Sequence, residues 1–520
     1  MRIALLTEGT QAHAQRGDGG WCGRLVEGLP EHEFRLYRLV RAGRPAAPTG
    51  VPGLRGVHEL PMWGRRPGGR GPALHRRRAY GRAYEELVRS LVVPGDRALF
   101  GPALHRLAEL TRDDDALPAY LSSGHAQRVL EKVWRSPGAD TAAGQPQVRD
   151  VLVAADLLEQ CLRPLSAPWY GTGTAGLGGA DLCHVVGGGP AALPALVARQ
   201  LHGVPFVVTE HGLHLREQYR SYRTAPYRWP VRALLLAFFR QLTEETYRHA
   251  AVLTPGSTYD QQWQRRCGAD PARTRIVHEG TPAVARAAAG PEPEKPTLVW
   301  AGALEPGRDP ELMLHAFARV RAELPDAELR MYGEEGVPGY RGHCEAIAGK
   351  LGIAGAVRFE GRPDATAPMW ETGSAVVFTA LAQRSPRLLA DAMLSGRAVV
   401  STEVGVAPEM LGPSGLLVPP RSPQALAAAC LALLGDAERR ARLGLAGRLR
   451  AQERFAVEPV VGAFREIYLE LVSRFPAFPA GAAQPFARPA EYWVAGETPA
   501  AATAPARPTG ARPTALAEAV

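Results

Sequence analysis

The sequence predicts an α/β protein: two Rossmann-like domains facing a cleft, with a helical insertion in the first. Three observations carry this. Apolar runs alternate with helical stretches through residues 1–290 and again through 296–455. The runs are largely apolar, as in parallel sheets covered on both faces. Residues 287–296, rich in Ala, Pro and Glu, separate the two series as a linker.

In chain order, a first strand at 2–6 leads to a glycine-bearing loop at 9–20 and a helix at 21–29. A second strand follows at 34–39, and residues 41–75, rich in Gly, Pro and Arg, read as loop. From 79 to 162 the spacing of Leu, Val and Ala is helical, which places an insertion at about 76–165. Strands return at 181–186, 204–209, 251–254 and 275–278, with helices at 191–201 and 232–249. The second series has strands at 297–300, 328–332, 357–359, 375–378 and 398–402, with helices such as 310–323 and 386–395. A closing helix spans about 456–473. Residues 474–520, mostly Ala, Pro, Thr and Gly, bury too little apolar surface to offset their ordering entropy and are expected to be disordered.

Composition removes several classes. The 520 residues are 46% hydrophobic and 22% charged, values of a globular chain. The most apolar stretch, 231–242, holds Arg232 and Arg240 and reads as an ordinary helix, because a spanning helix needs roughly 18 apolar residues. The N-terminal apolar run ends in Thr7-Glu8-Gly9, as a buried strand meets a turn, so a cytoplasmic location is expected. The net charge of +9 comes from Arg spread along the chain, and no nucleic-acid partner is expected. The six cysteines are scattered, without metal-ligand spacing, and read as reduced thiols. Asp113-Asp114-Asp115 reads as a solvated helix start, so no metal centre is expected.

The densest chemical pattern is AQRSPRLLADAMLSG at 382–396, followed by AVVSTEVGVAPEM at 398–410 and GLLVPP at 415–420. A strand ends near Thr379, and a helix starts near Pro386, a residue suited to the first turn. With Arg387 and Leu388 that turn offers free N–H groups and the positive end of a helix dipole, a site for an anion such as a nucleoside diphosphate. On spacing alone an ordinary βα turn reads equally well.

These residues resemble the donor site of retaining family 4 glycosyltransferases. That pattern is a Glu, seven residues, a second Glu, Ala-Met-x-x-Gly, then a strand and a Gly-rich turn with another Glu. Ala392-Met393, Gly396, Val399 to Thr402, Gly405 and Glu409 match it. RIALLTEGT at 2–10, Trp21, GLPEHEF at 28–34 and Thr209-Glu210-His211-Gly212 further resemble the branch of Pel-type exopolysaccharide glycosyltransferases. The resemblance covers roughly residues 1–470 and is weak in the insertion. It implies a GT-B fold and transfer of a hexose, with retention, from a nucleoside diphosphate sugar to the hydroxyl of a carbohydrate or lipid-linked acceptor, in polysaccharide or glycoconjugate synthesis. UDP-sugars are favoured over GDP-sugars, and no metal or other cofactor is implied. Whether such a protein works alone or docks on a membrane synthase complex stays open.

By the same resemblance, His211 contacts the sugar near its reacting carbon, and Gly302, Tyr332 and Arg362 border the nucleotide. Glu409 reads either as a ribose contact or as a helix-dipole partner. Gly187-Gly188-Gly189 admits an acceptor or a phosphate. The chain departs from the pattern at several positions. Gln383 replaces the first Glu, beside the sugar ring, and carries no charge. Asp391 replaces the second, toward the ribose, one methylene shorter. Where the pattern has two cations on the diphosphate, this chain has Ala303 and Arg308, and only the arginine binds phosphate through its side chain. Gly19 and Gly20 supply the loop's glycine pair in a shifted register. Gln383 and Ala303 define the rival reading, an impaired GT-B pseudo-enzyme that binds a nucleotide or a protein partner. An epimerase on the same fold is a third reading, opposed by the Pel-type resemblance.

Overall fold

The computed structural model describes residues 1–8, 20–40, 53–63, 71–113, 116–281, 288–363, 366–381 and 387–474. Strands β1 (Arg2–Glu8), β2 (Glu33–Val40), β3 (Leu54–Pro61), β4 (Leu182–Val186), β5 (Phe206–Glu210) and β6 (Val252–Pro255) form one sheet, ordered β3-β2-β1-β4-β5-β6. Strands β7 (Thr297–Ala301), β8 (Glu328–Tyr332), β9 (Val357–Gly361), β10 (Ala375–Phe378), β11 (Ala398–Thr402) and β12 (Leu416–Val418) form a second, ordered β12-β11-β10-β7-β8-β9. Every pairing is parallel. In each sheet the chain builds outward on one side of its first strand, then returns to build on the other. The switch points therefore fall between β1 and β4 and between β7 and β10, where crevices open at the carboxyl ends of the strands.

Burial on both faces explains why strands such as β4, β5, β7, β10 and β11 read as largely apolar runs. One face of the first sheet joins the core of helices Leu74–Val92, Phe100–Asp113, Val148–Leu162 and Trp229–His249, through Tyr80, Leu107, Leu158 and Phe238. The other face packs on helix Gly20–Gly28 and on the final helix, Val457–Arg474, through Val460, Phe464 and Tyr468. The chain thus crosses back from the second sheet to cover the first. Two further cores flank the second sheet, one around Trp300 and Phe317, the other around Trp370 and Met393. The linker is tied to this half: Ala289 N–H donates to Ser395 O at 2.8 Å and Arg397 donates to Gly290 O at 2.9 Å.

Local chemistry sets the element ends. Gly203, at φ 71°, closes helix Ala192–His202 in the left-handed conformation glycine adopts without a Cβ penalty. Asp309 opens helix Pro310–Glu323: its carboxylate accepts from Leu312 N–H at 3.1 Å, and Pro310 follows in the first turn.

Three expectations are corrected. The stretch 41–75 is not loop throughout, because β3 lies within it. As an edge strand with one neighbour it tolerates Arg55, His58 and Glu59, so its apolar signal is thin; Glu59 pairs with Arg38 of β2. Residues 275–278 form no strand. Arg275 and Val277 N–H donate to Leu253 and Pro255 O at 2.9 and 3.0 Å. A parallel ladder needs a return bond from the N–H of residue 255, which proline lacks. Finally, Asp113 ends a helix, Phe100–Asp113, instead of starting one, because Phe100, Ala103, Leu104, Leu107 and Ala108 already form that helix's buried stripe. Residues 114–115 lie outside the described residues, as does the expected disordered tail beyond Arg474, which is itself helical. All six cysteines are free thiols. Among the described residues no helix is long and apolar enough to cross a membrane.

Candidate active site at the carboxyl edges of the sheets

At the second sheet, β7, β8 and β9 end in glycines drawn together. Gly302 N–H donates to Tyr332 O at 3.0 Å and Gly333 N–H to Gly361 O at 2.8 Å. A Cβ on Gly333 would stand 1.7 Å from Gly302 O, so only glycine fits. The result is an edge of bare backbone. Arg308 stands beside it, at the switch point. Trp300 Nε1 donates to Thr379 Oγ1, which donates to Arg308 O, both at 2.7 Å, and so pins the Arg308 loop between β7 and β10. The guanidinium Nε lies 3.9 Å from Glu305, beyond hydrogen-bond range.

The other expected residues of this half divide. Arg387 and Leu388 begin helix Arg387–Leu394, half-buried, after β10. Asp391, in the same helix, is 2% exposed between the core residues Ala390 and Ala392. Tyr332 turns its ring onto the cluster of Trp370 and Phe378, with its hydroxyl 3.2 Å from Thr372 Oγ1. Arg362 is engaged by Glu334 at 2.9 Å on an exposed surface. Gly405, at φ 57°, turns the chain from β11 into helix Ala407–Leu411. Gln383, Pro386 and Gly19 lie outside the described residues. Gly20, at φ 69°, opens helix Gly20–Gly28.

At the first sheet, β5 delivers Glu210 and His211. Glu210 is 1% exposed and accepts from Tyr247 Oη at 2.5 Å and Gln264 Nε2 at 2.8 Å. Burial pushes its carboxyl up to about 7 against those hydrogen bonds. A Cβ on Gly188 would meet Glu210 at 2.6 Å, so the triple glycine lies directly over this carboxyl. His211 stacks edge-on to Trp21 at 5.1 Å and presses on Gly256, where a Cβ would stand 3.0 Å from its Cδ2. Burial, helped by Arg24 and His278, holds the imidazole down to about 3, so it is neutral at physiological pH. Its Nε2 is buried and meets no hydrogen-bond partner among the described residues.

The two edges meet at Glu409. Its Oε2 accepts from Thr258 N–H at 2.7 Å and Thr258 Oγ1 at 2.5 Å, at the first turn of helix Thr258–Arg266 after β6. His278 stands between: its Nδ1 bonds Gly256 O at 2.9 Å and its Nε2 lies 3.8 Å from Glu409. Glu409 thus caps the first turn of a helix that belongs to the other sheet. Sequence reasoning missed Thr258, although Ser257 marks that helix start as its N-cap: Ser257 Oγ accepts from Asp260 N–H at 3.1 Å and donates to Asp260 Oδ2 at 2.7 Å. It also missed Thr379 and Trp300, whose pairing over 79 positions leaves no local signal.

Residues 1–272 match the family described as Domain of unknown function (DUF3492), and residues 295–436 match Glycosyl transferases group 1. A D-inositol 3-phosphate glycosyltransferase of Streptomyces bingchenggensis is 30% identical over 228 residues, 40% of this chain and 50% of that protein. The chain thus spans about half the length of that curated relative. Among solved structures, sucrose-phosphate synthase of Thermosynechococcus elongatus aligns over 91% of this chain and 99% of its own at 17% identity, with a TM-score of 0.55. Anabaena HepE in complex with UDP aligns over 91% and 100% at 14% identity, with a TM-score of 0.54. At such identities the likeness is one of fold, the two-sheet GT-B architecture.

Proposed function

The chain belongs to the family described as Domain of unknown function (DUF3492), with a group 1 glycosyl transferase region behind it, and on that premise we propose that it moves a hexose from a nucleoside diphosphate sugar to an acceptor hydroxyl with retention. The observation that carries this reading is His211, a neutral imidazole at the seam between the sheets with a buried Nε2 that has no hydrogen-bond partner among the described residues. Such an atom costs about 1–3 kcal/mol, which a hydrogen bond to a bound sugar recovers. A neutral ring also adds no repulsion to the positive charge that develops at the reacting carbon.

On the opposite side, the glycine edge at Gly302 lets backbone approach the diphosphate, and the family pattern assigns Gly405 and the Gly19-Gly20 pair to the same ligand. Arg308 and the start of helix Arg387–Leu394, at Arg387 and Leu388, stabilise the charge on the leaving group. Asp391 serves the ribose and Gln383 the sugar ring. The departing phosphate oxygen takes the acceptor's proton, so no separate base is required. UDP is the favoured nucleotide, and the acceptor is a carbohydrate or lipid-linked hydroxyl. The N-terminal motifs around Trp21 and His211 support a role in polysaccharide synthesis of the Pel type, docked on a membrane synthase complex.

Calorimetric titration with UDP, GDP and their glucose and mannose conjugates, paired with an assay for diphosphate release, tests this. Binding with turnover supports the transferase and names the sugar nucleotide; Gln383→Glu then raises the rate more than the affinity. Binding without turnover, with acceptors supplied, establishes instead the nucleotide-binding pseudo-enzyme that Gln383 and Ala303 favour. No binding at all overturns the assignment of the second sheet's edge.

A further inference from the structure

Away from the cleft, helix Phe100–Asp113 crosses helix Trp229–His249, and His105, Glu245 and His249 converge there. One ligand-type atom from each lies within 4.8 Å of the others. Glu245 Oε1 stands 3.0 Å from His249 Nε2 and 3.6 Å from His105 Nε2. His249 ends the helix that feeds the amino end of β6, so this cluster is at the opposite edge of the sheet from His211. It is independent of the transferase reading.

We propose that His105, Glu245 and His249 bind one divalent transition metal of the zinc class, which staples the inserted helices to the first sheet's own helix. The ligand types suit such an ion: two imidazoles and one carboxylate leave a fourth position for water. The spacing suits it as well. Glu245 and His249 are one helical turn apart and share a face, while His105 comes from the neighbouring helix. The 3.6 Å from His105 to the carboxylate is too long for a hydrogen bond, yet a small inward shift brings both rings to a common ion.

The surroundings orient the cluster. Arg248 holds Glu245 Oε2 at 2.6 Å, which leaves Oε1 toward the two rings. Arg199 donates to His249 O at 2.6 Å and fixes the helix end that carries this ring. Gly101 lets the helix backbone close on the carboxylate, since a Cβ there would stand 2.5 Å from Glu245 Oε1. Glu245 is itself 3% exposed, so a bound ion neutralises a carboxylate that water barely reaches.

The full chain, stripped with chelator, is titrated with Zn(II) alone and with Co(II) alone, beside His105→Gln, His249→Gln and the double variant. Wild type should take up one equivalent, show visible Co(II) absorption without thiolate charge transfer, and melt at higher temperature with zinc. Each variant should lose more affinity than the roughly 10–100-fold that follows loss of an outer-shell partner. Equal uptake by wild type and the double variant overturns the proposal, as does no uptake by wild type. Should the variants fail to fold, X-ray absorption of the zinc-loaded wild type decides. Two imidazoles with oxygen ligands support the site; sulfur or water-only coordination sinks it.

Discussion

Glu409 closes the seam between the two sheets by capping a helix that belongs to the other one. Its carboxylate takes both the N–H and the hydroxyl of Thr258, at 2.7 and 2.5 Å. The helix's own N-cap, Ser257, serves Asp260 N–H, so the first-turn donor at Thr258 is left for a partner from outside. The carboxylate at the positive end of the dipole is favourable in charge as well as geometry.

Glu409→Gln keeps the shape and removes the charge. It should lower the stability of the chain by about 1 kcal/mol, read from urea denaturation, with the loss shrinking as salt is added. A variant as stable as wild type at low salt would mean the contact carries no net free energy.

Glu210 gives a pH signature. Burial raises its carboxyl from 4.5 to about 7. A raised acid binds its proton in the folded state first, so its contribution is fully present below 4.5 and is lost as pH rises to 7. The stability of wild type minus that of Glu210→Gln should therefore fall by about 3 kcal/mol across this window. Asp260, raised by burial from 3.8 to about 6, slopes the same way but is common to both proteins and cancels. A pH-independent difference would falsify the raised pKa.

His211→Ala separates function from folding. With the proposed transfer running, kcat/KM should drop roughly 10²–10³-fold, while the chain stays folded, because the packing lost on Trp21 and Gly256 is partly offset by removing a buried nitrogen with no partner among the described residues. The wild-type rate should show no inflection from this ring between about pH 5 and 8, since it is already neutral. A limb in that range that vanishes in His211→Ala would contradict the assignment.

Tyr468→Phe tests how the final helix is held to the first sheet. Tyr468 Oη meets His184 Nδ1, His184 Nε2 meets Thr209 Oγ1, and Thr209 meets Thr254 Oγ1, each at 2.6 Å and all buried. Removing the hydroxyl strands a buried imidazole nitrogen and should cost about 1–3 kcal/mol in urea denaturation. A loss below about 0.5 kcal/mol would show the relay to be idle.

Much of the fold was legible because its determinants are local. An apolar run such as Leu182–Val186, buried on both faces, announces a central parallel strand. Pro310 after Asp309 announces a helix start. Alternation of such signals was enough to predict the two parallel sheets, and with them a pair of facing carboxyl edges that carry His211 and Arg308. Other features have no local signature. β3 reads as loop until β2 is beside it, and 275–278 reads as strand until Pro255, its neighbour across the ladder, proves unable to return a bond. Glu409 finds its partner 151 positions away, and His105 lies 140 positions before Glu245. Periodicity and caps report only what neighbours along the chain do. Which distant groups share a buried boundary is decided by packing, so the seam at Thr258 and the crossing of the two helices belong to the tertiary structure alone.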